Sequence, residues 1–187
     1  MMRFDRRQWM QTALAVGMTS AWPRQVRASS QENSRGLKLI DTNVSLMHWP
    51  FRRLPYDEAS ALADKLQSLG VVEAWAGSFE GLLQRDLSAV NARLAALCGE
   101  QGTGFFKAFG SINLALPGWR EDLQRCVQEH GMSGLRLHPN HHGYTLQHAD
   151  FPELLARAAE SNLLVQIAAS TEDTRTQHPQ TQVADTD

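Results

Sequence analysis

Three imidazoles, His138, His141 and His142, stand together directly behind the apolar run Gly134-Leu-Arg-Leu137. A buried strand that hands polar, titratable groups to its C-terminal end is how parallel α/β enzymes assemble a site. Imidazoles grouped this way could hold a metal ion or bind an anionic substrate; the plainer alternative is a polar, solvated loop stiffened by Pro139 and turned at Gly143. Arg136 sits in the middle of the run, where an unpaired charge is costly to bury. It is expected to turn inward and meet a carboxylate, on the sheet or on a substrate. Lys107 is read the same way on an earlier run.

Two carboxylates are candidates for moving a proton. Asp41 ends the first apolar run together with Asn43, and residues two apart on a strand share a side. Asp41 could serve as a general base, or could cap the turn before Trp49 and Pro50. Asp173 follows the fifth run, near Glu172, Arg175 and His178. Asp173 is the second candidate base, with Arg175 and His178 as substrate contacts; Asp173 and Arg175 could equally pair with each other. Substrate orientation falls to Asn43, Arg136, His138 and His141. His48, Arg52 and Arg53 lie in the first loop, as ligand contacts or as plain surface. His130 is assigned no function, and His148 is expected to face solvent.

The elements that must position these groups recur at intervals of about thirty residues. Strand-like runs cover 37–41, 71–76, 105–112, 134–138 and 163–168, and a sixth begins at 182–185. Between them apolar residues keep helical spacing: Ala59 to Leu69 before Gly70, Leu87 to Cys98 before Gly99, Trp119 to Val127 before Gly131, and Phe151 to Ala158. The last helix is expected to open with a capping box of Asp150 and Glu153. Strand, helix, strand at this period predicts βαβ units and a parallel sheet. The runs are largely apolar, as strands covered on both faces should be. The fold is therefore α/β, either an open doubly wound sheet or a (β/α)8 barrel. No Gly-x-Gly-x-x-Gly turn follows the first run, which weakens the dinucleotide-binding version of the open sheet.

Composition bounds the rest. The chain has 187 residues, 42% hydrophobic and 20% charged, with a formal net charge of -2. That suits one globular domain and offers no basic stripe for nucleic acid. The two cysteines, Cys98 and Cys126, fall in helical segments and are expected to be buried thiols. The first 28 residues read as an export signal. Arg3, Arg6 and Arg7 precede a weakly apolar core at 12–21, too short to span a bilayer. Residues 5–11, Asp-Arg-Arg-Gln-Trp-Met-Gln, resemble the twin-arginine motif, and Val26-Arg-Ala28 offers a cleavage site. The mature chain would be exported to the periplasm or beyond, with 29–36 as a polar linker, 37–187 as the folded domain and no integral membrane segment.

Residues 39–45, Leu-Ile-Asp-Thr-Asn-Val-Ser, taken with 134–139 and with Arg175-Thr-Gln-His-Pro179, resemble the amidohydrolase-related proteins. These are metal-dependent hydrolases with a TIM-barrel fold. The likeness is to a subgroup in which the first motif is followed by Trp49-Pro-Phe-Arg52. The resemblance implies a partial (β/α)8 barrel of about five to six units, C-terminally truncated, whose unpaired sheet edges would invite self-association. It also implies hydrolase-type chemistry on a small carboxylated or cyclic substrate, with decarboxylation and lactone opening as related possibilities. A divalent metal, zinc, belongs to the family pattern. Asn43 and Ser45 stand where the pattern has the two metal-binding histidines of the first strand, and Ala168 where it has the fifth-strand histidine. Any metal would then have to draw on the His138 cluster. The rivals to an active enzyme are an exported binding module that has lost turnover and a non-functional fragment.

Overall fold

The computed structural model describes residues 38–101 and 104–169. The leader at 1–28, the linker at 29–36, the sixth run at 182–185, and Asp173, Arg175 and His178 lie outside the described residues. Within them no helix is long and apolar enough to cross a membrane.

Five strands, β1 (Leu39–Leu46), β2 (Val71–Ser78), β3 (Phe106–Gly110), β4 (Gly134–Leu137) and β5 (Leu164–Ile167), pair in sequence order, and every pair is parallel. Among the described residues the order never reverses, which argues against a doubly wound sheet, because that fold needs a switch point where the strand order turns back. Helices α1 (Ala59–Ser68), α2 (Leu87–Glu100), α3 (Trp119–Gln128) and α5 (Phe151–Glu160) connect successive strands, and the single turn α4 (Pro139–His142) follows β4. The result is a run of consecutive βα units from a TIM-like barrel.

One face of each strand packs under the helices. Ala74 and Ala76 of β2 and Leu135 and Leu137 of β4 are fully buried there, against Leu94 of α2 and Leu154 of α5. Each such Leu contributes about 1.5–3 kcal/mol by leaving water. The other face looks into the curl. Trp75 and Phe109 stack there with centroids 5.1 Å apart. Gly134 makes room for that layer, since a Cβ on it would meet the Phe109 ring and stand 2.6 Å from the Leu164 carbonyl oxygen. Gly70 closes α1 at φ 87°, a left-handed conformation that suits glycine. Among the described residues β1 and β5 each pair on one side only, and Leu39, Ile40, Leu164 and Ile167 are exposed along those edges.

Three expectations need correction. The first strand runs from Leu39 to Leu46, past the predicted end at Asp41. It continues through a bulge: Asp41 registers with Ala74 and Val44 with Ala76, so three steps on β1 face two on β2. The Asp41 carboxylate accepts the Asn43 N–H at 3.0 Å and holds the bulge. The extra residue interrupts the alternation between Asp41 and Val44, and Asp41 and Asn43 border one hollow. Second, α5 does not open with a capping box. Asp150 makes no side-chain cap; it accepts from the Trp119 indole at 3.2 Å and from Arg120 at 3.2 Å, while Glu153 takes Arg120 and Arg157. The α3–α5 contact outcompetes the local cap for these carboxylates. The third is His148, which is half-buried rather than exposed, its Nδ1 accepting the Asp150 N–H at 3.2 Å. Lys107 borders a hollow at the start of β3 with His130 and Gly131.

Cys98 and Cys126 are buried free thiols, both pushed up to about 12 by burial.

Candidate active site

The bulge in β1 has a consequence across the curl. The carbonyls of Thr42 and Val44 accept from the Arg136 guanidinium of β4, at 3.2 and 2.6 Å, and the Trp75 carbonyl of β2 accepts at 2.9 Å. Arg136 Nε donates to Gln166 of β5 at 3.0 Å, and Gln166 in turn donates to the Thr42 carbonyl at 2.7 Å. One side chain thus ties four of the five strands together. Gly77 is required beneath it, because a Cβ there would stand 2.7 Å from a guanidinium nitrogen. The expected carboxylate partner is replaced by carbonyl and amide oxygens; Asp41 acts on Arg136 through space. Burial lowers the guanidinium to about 10, and the Asp41 charge works against that shift.

At the C-terminal ends of the strands lies a cavity of about 290 Å³. Asn43 and Ser45 of β1, Arg136, His138 and Ala168 form its sheet side; Trp49, Arg52, Leu54, Phe79 and Leu82 supply the loops. The structure therefore brings together Asn43, Arg136 and His138 from the sequence reading. His141 and His142 are half-buried on α4, with ring centroids 6.3 and 5.9 Å from that of His138, and do not line this cavity. Asp41 borders a neighbouring hollow with Leu62 and Leu66 of α1.

The imidazole segment is no solvated loop. Pro139 opens α4 and Gly143, at φ 71°, closes it. That turn folds the imidazoles back over the strand end, and His138 is only 4% exposed. Neither His138 ring nitrogen has a hydrogen-bond partner among the described residues. Burial, then the neighbouring His142 and His141, then Arg136, push His138 down to about 3, so its ring is neutral at physiological pH. His141 and His142 are shifted down too, burial being the main cause. His142 Nε2 meets the Gly81 carbonyl at 2.8 Å. A neutral imidazole offers one N–H donor and one lone pair, which suits it to polarise a carbonyl or orient a hydroxyl rather than to carry charge.

Sequence reasoning missed Trp49, Leu54 and Phe79 as cavity walls. Trp49 and Phe79 touch with centroids 5.3 Å apart, and Phe51 meets Trp49 edge-on at 5.3 Å. The only signal was the aromatic pair in Trp49-Pro-Phe-Arg52.

A family model described as amidohydrolase matches residues 40–185. No curated protein matches the chain. Among solved structures, 5-carboxyvanillate decarboxylase from Novosphingobium aromaticivorans, with bound manganese and a nitrobenzoic acid, superposes with a TM-score of 0.58 at 16% identity, over 78% of this chain and 55% of that one. The 2,6-dihydroxybenzoate decarboxylase from Rhizobium gives 0.55 at 12% identity, over 74% and 52%. The IDCase of Metarhizium anisopliae gives 0.57 at 10% identity, over 71% and 50%. The chain spans about half the length of these structures, and the likeness is one of fold.

The donors for a metal can be tested against the residues present. Asn43 and Ser45 line the cavity where the resemblance places two histidines, and Ala168 offers no donor. Neutral amide and hydroxyl groups are weak ligands for zinc. Among the described residues no three His, Cys, Asp or Glu side chains gather around one point. These residues do not fit the family's metal centre. The parallel βα architecture and a family match spanning most of its length place the chain in the amidohydrolase family.

Proposed function

We propose that the cavity takes a small, ring-bearing carboxylate and that the domain performs hydrolase-type chemistry on it, adding water to or removing a group from a carbon centre. The observation that carries this is Arg136. The residue is 4% exposed and lines the cavity, and its guanidinium is hydrogen-bonded to neutral oxygens only. A buried cation without a bonded anion leaves positive potential in the hollow, and an anionic ligand relieves it. Trp49, Phe79, Leu54 and Leu82 give the apolar walls that a ring needs. The solved relatives named as decarboxylases of aromatic acids support the same substrate class.

In this reading Asn43, Arg136 and His138 orient the substrate, with His141 packed behind His138. Of the two candidate bases, Asp173 is retained, because it follows the strand whose end, Ala168, borders the cavity. Arg175 and His178 belong to the same segment and would add contacts. A second reading, a binding module without turnover, draws on the replacement of the expected metal ligands by Asn43, Ser45 and Ala168.

Thermal melting with a charge series tests the shared part of both readings. Benzoate at one hundred times its dissociation constant should stabilise the full chain by about 2.7 kcal/mol. Benzyl alcohol should leave the melting temperature in place. Equal stabilisation by both, or by neither, would remove the anion-binding reading. Ring opening of a lactone such as dihydrocoumarin, or carbon dioxide release from a hydroxybenzoate, then separates the enzyme from the silent module.

A further inference from the structure

The three tryptophans among the described residues differ in one respect. The Trp75 indole N–H donates to the Glu73 carboxylate at 2.9 Å, and that of Trp119 to the Asp150 carboxylate at 3.2 Å. Trp49 Nε1 is buried and has no partner among the described residues. Buried indole N–H groups are nearly always satisfied, and an orphan is destabilising. Trp49 is 5% exposed and lines the same cavity as His138, whose two ring nitrogens are also buried without partners.

The chain holds Trp49 in place at some expense. Met47, two residues earlier, has φ 68°, a left-handed conformation that is strained for a side chain of its size. Ser78 Oγ lies 3.0 Å from the Met47 sulfur and helps fix that turn. Phe51 and Phe79 clamp the indole ring from two sides. A strained turn and two aromatic contacts thus position a donor that no described group of the protein uses.

An indole can only donate. Its missing partner must be an acceptor, and the partners of the other two indoles are carboxylates. We infer that Trp49 is a ligand-binding residue whose indole N–H receives one carboxylate oxygen of the molecule the cavity takes, with the His138 imidazole N–H as the companion donor. This rests on the anion-binding reading above and adds a residue and a specificity to it: a ring acid whose carboxylate sits between indole and imidazole. Neutral His138 fits the role, since it donates without introducing a second buried cation beside Arg136.

The test is a titration of the uniformly 15N-labelled full chain with benzoate, following the indole N–H resonances. Trp49→Phe, which keeps an aromatic ring in the clamp, identifies the Trp49 signal by its loss. The expected result is a downfield shift of that signal while those of Trp75 and Trp119 stay within experimental scatter. Benzoate affinity, read by calorimetry, should fall about tenfold in Trp49→Phe, a loss of about one charge-assisted hydrogen bond. Binding of benzoate with an unmoved Trp49 signal would overturn this inference and leave the anion-binding cavity standing. No binding of benzoate would overturn both. An equal shift with benzyl alcohol would remove the carboxylate from the assignment.

Discussion

Arg136→Ala is expected to cost about 3–5 kcal/mol of folding stability, the range for removing one member of a buried, charged hydrogen-bond network. The substitution leaves the carbonyls of Thr42, Val44 and Trp75 and the amide of Gln166 without their donor in one stroke. The β1 bulge, whose inward carbonyls exist to meet that donor, loses its tether to β4. Arg136→Lys keeps the charge but offers a single ammonium in place of a planar fork. It cannot reach four acceptors on three strands and should recover less than half of the loss. Gly77 provides an internal check. Alone, Gly77→Ala presses a methyl group on the guanidinium, 2.7 Å from its nitrogen, and should destabilise. In the Arg136→Ala background the obstruction is gone. The two changes should therefore be coupled by about 1–3 kcal/mol, measured by urea unfolding of both singles and the double. Additive effects would show that Arg136 does not occupy the position described.

Acidification below neutrality should weaken the fold well before ordinary carboxylates titrate. His138 is held down to about 3 in the folded chain, with burial as the largest cause and His142, His141 and Arg136 adding to it. The unfolded imidazole titrates near 6.5. A group with a depressed folded value gives stability that is fully present above the unfolded value and is lost as pH falls toward the folded one. The window here runs from about 6.5 down to about 3. At 1.36 kcal/mol per pH unit, His138 alone should remove on the order of 2 kcal/mol between pH 7.5 and pH 5. His141 and His142, shifted in the same direction, steepen the slope. Glu153 enters only lower. Its carboxyl is held at about 2, chiefly by the hydrogen bond from Arg120, so its contribution fades below the ordinary glutamate range. Urea unfolding across this window should show the decline in the wild-type chain and a clearly flatter profile in His138→Gln. A wild-type profile flat from pH 7.5 to pH 5, or one unchanged in the variant, would contradict a buried neutral imidazole at this position.

Much of the scaffold is legible in the sequence because it is governed by local periodicity. The alternation of apolar runs with helical stripes gives β2 to β5 within a few residues, and Gly70 and Gly131 mark helix ends through their freedom at positive φ. His138 could be singled out because a strand end carrying an imidazole is visible without coordinates. What depends on distant partners could not be read. The β1 bulge joins a local Asp41–Asn43 turn to a donor 92 positions beyond Val44, and nothing around Asp41 announces that. The partners of Arg136 are illegible for the same reason, since carbonyl acceptors leave no mark in a sequence whereas carboxylates do. Asp150 and Glu153 carry the pattern of a cap, yet α3 claims both through Arg120. Trp49 reads as an ordinary aromatic until its indole N–H is seen to lack a partner.

The most direct measurement is a crystal structure of the full chain grown with benzoate. The expected result is a ring between Trp49, Phe79 and Leu54, with its carboxylate on the Arg136 side of the cavity, within hydrogen-bond distance of His138 and the Trp49 indole nitrogen. Benzoate bound elsewhere, or this cavity filled by side chains at concentrations that saturate binding in solution, would contradict an anion site at the carboxyl ends of these strands.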